Sequence, residues 1–428
     1  MSDLLITGSN ALKNSQLALN VVSNNIANVN TEGYVKQSVD YVESPYASIG
    51  ALSVGTGAIA DGIHRAYDGL IENSVRTGES DLKMQKSILE RTNELINVFG
   101  DSQASLAPAL TGFFNSLKSL ANDASSSVRR DQVLGAASSL ANRFNELSYR
   151  LVSFDISTTE EIDAKVAKAN ELITNLNQVN QKLIRAQELS KQPPELLNQR
   201  DQLLRDISSL IKVSVHEFEN GSVRIGLEGS ARPILDQKGS GVIRLSKSGN
   251  DSVLELSQKF NGTETKINRL SGEIGGLMNF RNRILSPTES SLDEIASIFI
   301  HNVNKAHLSG KDLRGESGRN FFEAEPSVIV AYPDNSSRLQ VKVDAGTDYT
   351  RLKNSYDLEF DSVRGIWKTE DSQGRVHFAT TDNAVLLVDG MSLELSGQPQ
   401  QGDVITLSVE SKAASTIRLA IQDSQEIA

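Results

Sequence analysis

Cysteine is absent from this 428-residue chain. Disulfides, thiol catalysis and thiolate metal sites are excluded together. Aromatic residues make up 5%, with one tryptophan, Trp367, so a core must be built mainly from Leu, Ile, Val and Ala. No apolar run approaches the length of a membrane span. The opening residues MSDLLITGSNALKNSQ lack both the basic start and the unbroken apolar stretch of a general secretory signal. A basic block is missing too: 43 Lys and Arg stand against 54 Asp and Glu, a formal net charge of −11. Phosphate binding needs clustered positive charge, so neither nucleic acid nor a membrane is expected as a partner. The pair Arg129-Arg130 lies between a serine run and Asp131 and reads as a solvated turn. By these features alone the chain would sit in the cytoplasm.

The length calls for two to four domains. In the first thirty residues, Leu5, Leu12, Leu19 and Ile26 fall seven apart, and Gly8, Ser15, Val22 and Val29 form a second row three residues on. This is a coiled-coil seam over four heptads, with Gly8 and Ser15 small enough for close backbone approach. The stripe is followed by five asparagines, Asn20, Asn24, Asn25, Asn28 and Asn30, and by the turn signal Thr31-Glu32-Gly33-Tyr34. Asparagine is a poor helix former. Burial of a few seam residues falls short of the backbone entropy of ordering the segment. The helix is therefore expected to be marginal alone and to order when another helix covers it.

Residues 44–64, rich in Gly and Ser, read as a loop or loose hairpin. Helical spacing holds from Ile71 to about Ile211, with Ile162, Val166, Ala169, Ile173, Leu176 and Leu183 on one stripe and Asn180 as a polar seam residue. Pro193-Pro194 interrupts it. A second helix with Leu196, Leu203, Ile207 and Leu210 completes an antiparallel hairpin. The period changes to two at Val213, with Asn220-Gly221 as a hairpin turn, and short strands run to about Ile267. Helical spacing returns from Ser271 to His307, and the tail from Ser327 to about Val409 is β-like.

Residues that carry chemistry are sparse. Of His64, His216, His301, His307 and His377, only His301 and His307 share a helix; six apart, they point to different faces and read as partly exposed. Ser309-Gly310-Lys311 lacks the upstream glycine of a phosphate cradle. Gly275-Gly276 reads as a close helix contact. Residues 312–318, DLRGESG, lack the alternating acidic ligands of a calcium loop and read as a turn. Glu160-Glu161 complement a helix start. No catalytic residue, cofactor site or metal site is assigned.

Asn25-Ile26-Ala27-Asn28 followed by Thr31, Gly33 and Tyr34 resembles the signature of bacterial flagellar axial proteins, the rod, hook and hook-associated families. The stretch Leu196 to Leu203, LLNQRDQL, is similar to a motif of the hook-associated protein 1 family of hook–filament junction proteins. So are Gly275-Gly276-Leu277 through Phe280-Arg281, the set Asn304, His307, Gly310, Asp312, Gly315, Gly318, Phe321 and Phe322, and the early stretches Gly55-Thr56-Gly57 and Ile63 to Asp68. Rod and hook proteins share the first signature but usually lack the long helical middle, and flagellin has a different N-terminal pattern.

The resemblance implies a structural role in motility and flagellum assembly, an adaptor joining hook to filament. The alternatives are another axial component of rod or hook type and, on the β tail, a surface adhesin or glycan-active enzyme. Its implied location is extracellular, after export through the flagellum-specific, type III secretion system, and no enzyme activity is implied. Implied partners are further copies of the chain in a ring or helical layer, the hook protein, the second junction protein and, for export, a chaperone at the C-terminal region. Leu5, Leu12, Leu19, Val22, Ile26 and Val29 would form the assembly interface; Arg281 and Arg283 would make interface or, preferably, intramolecular ion pairs.

The expected fold is multidomain α+β: an N-terminal coiled-coil-type helix, an elongated antiparallel helical domain with a β insertion, and a C-terminal mainly β domain. The expected boundaries are an axial helix over 1–34, a linker and loop region over 35–70, and a helical domain over 71–325 with its insertion near 213–269. A β domain over 326–412 follows, then the start of a return segment over 413–428, with the family's C-terminal helix absent.

Overall fold

The computed structural model describes residues 2–31, 33–44, 47–49, 52–99, 105–185, 192–230, 232–247, 254–325, 327–331, 339–345, 355–371, 373–380, 384–388, 391–400, 403–410 and 412–428. Two units emerge, each drawing on separate stretches of sequence: 1–89, 161–246 and 255–278 in the first, and 90–160, 247–254 and 279–428 in the second.

The first unit opens with helix α1 (Ser2–Ala27). It stops at a turn in which the Thr31 N–H donates to the Asn28 carbonyl and the Tyr34 N–H to the Thr31 carbonyl. Gly33 takes φ +77°, a left-handed conformation that a side chain would strain. Strands β1 (Gln37–Glu43) and β4 (Ala58–Arg65) then pair antiparallel with an irregularity at Asp40/Tyr41, and β2 (Ala47–Ile49) pairs with β3 (Leu52–Val54) between them. The sequence predicts only a loop or loose hairpin here. The β1/β4 ladder escapes a period-two reading because Gly62 interrupts the alternation of β4 and most side chains of β1 and β4 remain exposed or half-buried.

Helix α2 (Gly69–Phe99) is capped by Asp68, whose Oδ1 accepts from the N–H groups of Leu70 and Ile71 at 2.9 and 3.3 Å. The last turns of α4 (Ser127–Ile184) pack on α5 (Pro194–Leu210) through Val179, Leu183 and Leu197, with Leu196 and Leu203 half-buried beside them. Proline at the first turn of α5 costs no hydrogen bond. The insertion follows as a four-stranded sheet, β5 (Val213–Glu217), β6 (Val223–Leu227), β7 (Pro233–Asp236) and β8 (Gly239–Ser240). A three-stranded sheet follows, in the order β11-β10-β9, from β9 (Val242–Lys247), β10 (Leu254–Phe260) and β11 (Thr263–Lys266). Gly221 at φ +78° makes the expected hairpin turn between β5 and β6. In α6 (Gly272–Phe280), Gly276 lies directly against the Met84 carbonyl of α2, an approach that any side chain would block.

The second unit has a helical core and a β domain. Phe113 of α3 (Leu106–Ala121), Phe144 of α4, Phe299 of α7 (Ser286–Leu308), and Phe321 and Phe322 form an edge-to-face and tilted aromatic cluster. A π-helical turn, Arg281–Leu285, links α6 to α7. Ala413, Ala414, Ile417, Ile421 and Ile427 are buried in this same core. Helix α8 (Ala413–Thr416) is a single turn, and β21 (Arg418–Leu419) pairs antiparallel with β12 (Phe322–Glu323). Residues 413–428, read from the sequence as the start of a return segment, thus complete the helical core.

The β domain contains strands β13 to β20 between Ser327 and Glu410. They are β13 (Ser327–Ala331), β14 (Leu339–Ala345), β15 (Ser355–Asp361), β16 (Ile366–Glu370), β17 (Val376–Thr380), β18 (Ala384–Val388), β19 (Met391–Gly397) and β20 (Val404–Glu410). Five of them form a sheet in the order β13-β20-β15-β16-β17, and three form another, β14-β19-β18. Its core joins Tyr356, Leu358, Phe360 and Trp367 to Leu386, Leu393, Ile405 and Leu407.

Candidate functional site

The face of α1 that meets the protein is its polar face. Asn14 Nδ2 donates to the Ala58 carbonyl at 2.7 Å, and its Oδ1 accepts from the Ala60 N–H at 3.2 Å. Eleven residues on, Asn25 does the same to a single residue of β1: Nδ2 donates to the Gln37 carbonyl and Oδ1 accepts from the Gln37 N–H, each at 2.9 Å. Eleven residues are close to three helical turns, so both amides project from one side. Thr7 donates to the Thr56 carbonyl at 3.3 Å, and Val21 between them is buried.

The seam lies on the other side. Relative exposure is 75% at Leu5, 73% at Leu12, 68% at Leu19, 51% at Val22, 69% at Ile26 and 73% at Val29. The usual surface helix hides its apolar stripe and shows its polar one; α1 reverses this. A continuous exposed apolar stripe is the mark of an association surface.

The rest of the N-terminal signature shapes the end of this helix. Tyr34 donates its hydroxyl to Asn25 Oδ1 at 2.9 Å, Asn28 Nδ2 donates to Asn24 Oδ1 at 2.8 Å, and Thr31 donates to Asn28 Oδ1 at 3.2 Å. Ala27 is exposed, and the α-carbon of Gly33 faces the side chain of Gln202 on α5. The helix ends within the asparagine-rich stretch, and Asn25 and Asn28 are engaged in its turn and in β1, while Asn20 and Asn30 are exposed.

The amide grip recurs. Asn180 of α4, buried, donates to the Val223 carbonyl at 2.9 Å and accepts from the Val223 N–H at 2.7 Å. Asn170 treats Ile243 alike at 2.9 and 2.8 Å. Asn304 of α7 donates to the Phe322 carbonyl at 2.8 Å and accepts from the N–H groups of Phe321 and Phe322 at 2.8 and 2.9 Å. A carboxamide offers one acceptor and donors in the arrangement of a peptide group, so it can pair with a strand as another strand would. Five helical asparagines thereby satisfy strand backbone in both directions.

Two further family-like stretches meet in the first unit. Arg65 Nη2 donates to Asp201 Oδ2 at 2.5 Å, and Arg200 binds Asp201 Oδ1 through Nε and Nη2 at 2.9 and 2.7 Å. Arg200 Nη1 also donates to Glu217 Oε1 and the Gly221 carbonyl, each at 2.6 Å. The guanidinium carbons of Arg65 and Arg200 lie 5.2 and 5.7 Å from the Tyr67 ring centroid. Burial alone would lower the Arg200 pKa; the Asp201 and Glu217 carboxylates outweigh it and raise it. This joint fixes the β1/β4 arm to the helical hairpin and the insertion.

The remaining candidates have structural places. His307 is buried, against the expectation of a partly exposed side chain: its Nδ1 donates to the Arg319 carbonyl at 2.5 Å and its Nε2 accepts from the Ala428 N–H at 2.8 Å. His301 is exposed. Asp312 Oδ1 accepts from the N–H groups of Arg314 and Glu316, both at 2.8 Å, in a turn around Gly315. Arg281 binds Asp155 within its own unit, Nε to Oδ1 at 2.7 Å, whereas Arg283 is exposed. Among the described residues no helix is long and apolar enough to cross a membrane.

One surface escaped the sequence reading. Val75, Leu82, Leu89 and Ile96 of α2 are exposed and fall seven apart, with Ile71 and Gly78 in the adjoining row. The spacing is legible in the sequence, but it lies inside the long helical run from Ile71 to about Ile211, where periodicity alone does not separate an exposed stripe from a buried one.

Comparison with known proteins bears on these surfaces. Residues 92–322, more than half the chain, match the family model of the flagellar hook-associated protein FlgK helical domain, and residues 5–34 match that of the flagella basal body rod protein. Flagellar hook-associated protein 1 of Salmonella typhimurium is 26% identical over 440 residues, covering all of this chain and 79% of that protein. Its namesake in Escherichia coli is 26% identical over 438 residues, with the same shares. The solved flagellar hook junction protein FlgK from Burkholderia pseudomallei shares the fold, with a TM-score of 0.63 and 24% identity over 84% of this chain. The chain spans 66% of that solved protein, just under two thirds.

Proposed function

Because the chain belongs to the family of the flagellar hook-associated protein FlgK, we propose that it works as the adaptor between hook and filament, through packing of subunits and not through catalysis. It is a structural component of the flagellum. The observation that carries the adaptor reading is the reversed amphipathicity of α1: its polar face is consumed by the β1/β4 arm, and its four-heptad apolar seam is left to solvent. Leu5, Leu12, Leu19, Val22, Ile26 and Val29 would pack against other axial helices in a ring or helical layer. The heptad on α2, Val75 to Ile96, offers a second stripe of the same kind.

The neighbours are the hook protein on one side and the second junction protein on the other. Export runs through the flagellum-specific secretion channel. That channel passes unfolded chains, and a chain without cysteine cannot be trapped by premature disulfides. The match to rod proteins is confined to residues 5–34, the part that axial families share, so it favours no rod assignment.

The test is deletion of residues 2–34 from the full-length protein in its own bacterium, with the purified variant followed in parallel by circular dichroism. The expected result is a folded body with helix and strand retained, and cells whose hooks carry no filament. Normal swimming with attached filaments would overturn the proposal.

A further inference from the structure

The joint around Tyr67 carries more positive charge than its carboxylates balance. Arg65, Arg76 and Arg200 are all buried; Arg65 and Arg200 bind Asp201, which is buried, Arg200 also binds Glu217, which is partly exposed, and Arg76 reaches the Tyr67 hydroxyl. The neighbouring pair Arg205–Glu72 is internally matched, with bonds of 3.1 and 2.5 Å. Tyr67 does not supply the missing charge: burial, followed by the nearby Asp201, raises its pKa and keeps the phenol neutral.

The surplus can be located. Asp201 spends its oxygens on Arg65 and Arg200, and Glu217 binds Arg200. Arg76, whose guanidinium neighbours the Tyr67 hydroxyl, makes no ion pair among the described residues. Its Nε and Nη1 are enclosed without a hydrogen-bond partner, as are Arg65 Nε and the hydroxyl of Ser80. Arg76 and Ser80 are four residues apart on α2, on one face of the helix. Unpaired donors of this kind, two of them on a buried cation, are costly.

We infer that the donors of Arg76, Ser80 and Arg65 hold a small monovalent anion of the halide class, chloride in ordinary buffers, as an internal counter-ion of the joint. Water can satisfy donors but cannot offset a charge. An acidic side chain from another subunit has no route to a guanidinium that is 96% enclosed by its own chain, Arg76 being 4% exposed. The ion must therefore be small enough to enter as the unit folds, and it would tie the arm that carries α1 to helix α2.

Binding to the folded state alone raises stability by mass action. The full chain is melted in sodium chloride and in sodium gluconate at equal ionic strength, so that general screening is constant. The expected result is a melting temperature higher in chloride by on the order of 2–4 °C at a few times the dissociation constant. Arg76→Met should abolish the difference. Crystals grown in bromide should show an anomalous peak beside Arg76, a readout that does not depend on any variant folding. Equal melting in both salts, or density for water alone beside Arg76 in bromide crystals, would overturn the inference.

Discussion

The side-chain amide of Asn25 closes two hydrogen bonds on one residue, the carbonyl and the N–H of Gln37, both at 2.9 Å. Gln37 is buried where β1 begins. An asparagine in a helix is a local cost, offset here by satisfying a strand that has a ladder on only one side. Replacing Asn25 with Ala should leave both backbone groups unpaired and destabilise the protein by about 1–3 kcal/mol. Urea unfolding measures the loss, and amide exchange at Gln37 locates it. Asn20→Ala is the control: Asn20 is exposed, and its replacement should be neutral or slightly stabilising.

The deeper instance of the grip should be costlier. Asn180 is completely buried, and its partners on Val223 are enclosed as well. Asn180→Asp keeps an acceptor for the Val223 N–H but sets a carboxylate oxygen against the Val223 carbonyl. The expected destabilisation exceeds that of Asn25→Ala, because a buried, unpaired charge is added to a lost bond. Equal effects of the two substitutions on the urea midpoint would contradict this ordering.

The seam should behave in the opposite way. Leu12 and Leu19 touch water, so Leu12→Gln with Leu19→Gln should change the stability of the isolated protein by no more than about 0.5 kcal/mol per site. The same pair should prevent filament attachment in cells. A large fall in melting temperature would mean that the stripe is covered within the monomer.

How far the sequence carries can be judged on these residues. The seam was legible because period seven needs no tertiary context, and the β tail was legible from runs such as RLQVKV and DVITLSV. Asn180 reads as a polar seam residue, and no local pattern reveals its partner on β6, 43 residues away. Nothing local marks Asn14, Asn170 and Asn304 as grips, since their partners lie 17 to 73 residues away along the chain. The β1/β4 arm hid for a related reason: its strands are stabilised by α1 and by Arg65 more than by alternating burial. His307 looked exposed on a helix because its cover, Ala428, comes 121 residues later.

In the β domain, Asp371 binds His377 Nε2 at 2.9 Å, Arg375 Nε at 2.7 Å and the N–H groups of Gln373 and Arg375 at 2.9 and 2.8 Å. The hydrogen bond from His377 leads, with those from Arg375 and Gln373, in holding this carboxylate well below its usual range. A depressed folded-state pKa gives stability that is present above the unfolded value of about 3.9 and lost as pH falls below it toward the folded value. Wild-type protein should therefore lose stability below about pH 4 more steeply than Asp371→Asn. Melting curves between pH 7 and 2, as flagged by the signal of Trp367 in that domain's core, would show parallel decline if the carboxylate made no such contribution.

Asp201 offers the sharpest test of the joint that carries the α1 arm. Its two oxygens are bound by two buried arginines, Arg65 at 2.5 Å and Arg200 at 2.7 Å. Removing its charge leaves both cations enclosed without their main partner, and breaking a buried pair from one side costs about 3–5 kcal/mol. Asp201→Asn should accordingly destabilise the first unit by about that amount. Arg65→Met should cost less, because Asp201 keeps its contacts to Arg200. The order of the two denaturation midpoints decides the matter: if Arg65→Met proves the more damaging, the joint is held by the packing of Arg65 on Tyr67 and not by the carboxylate.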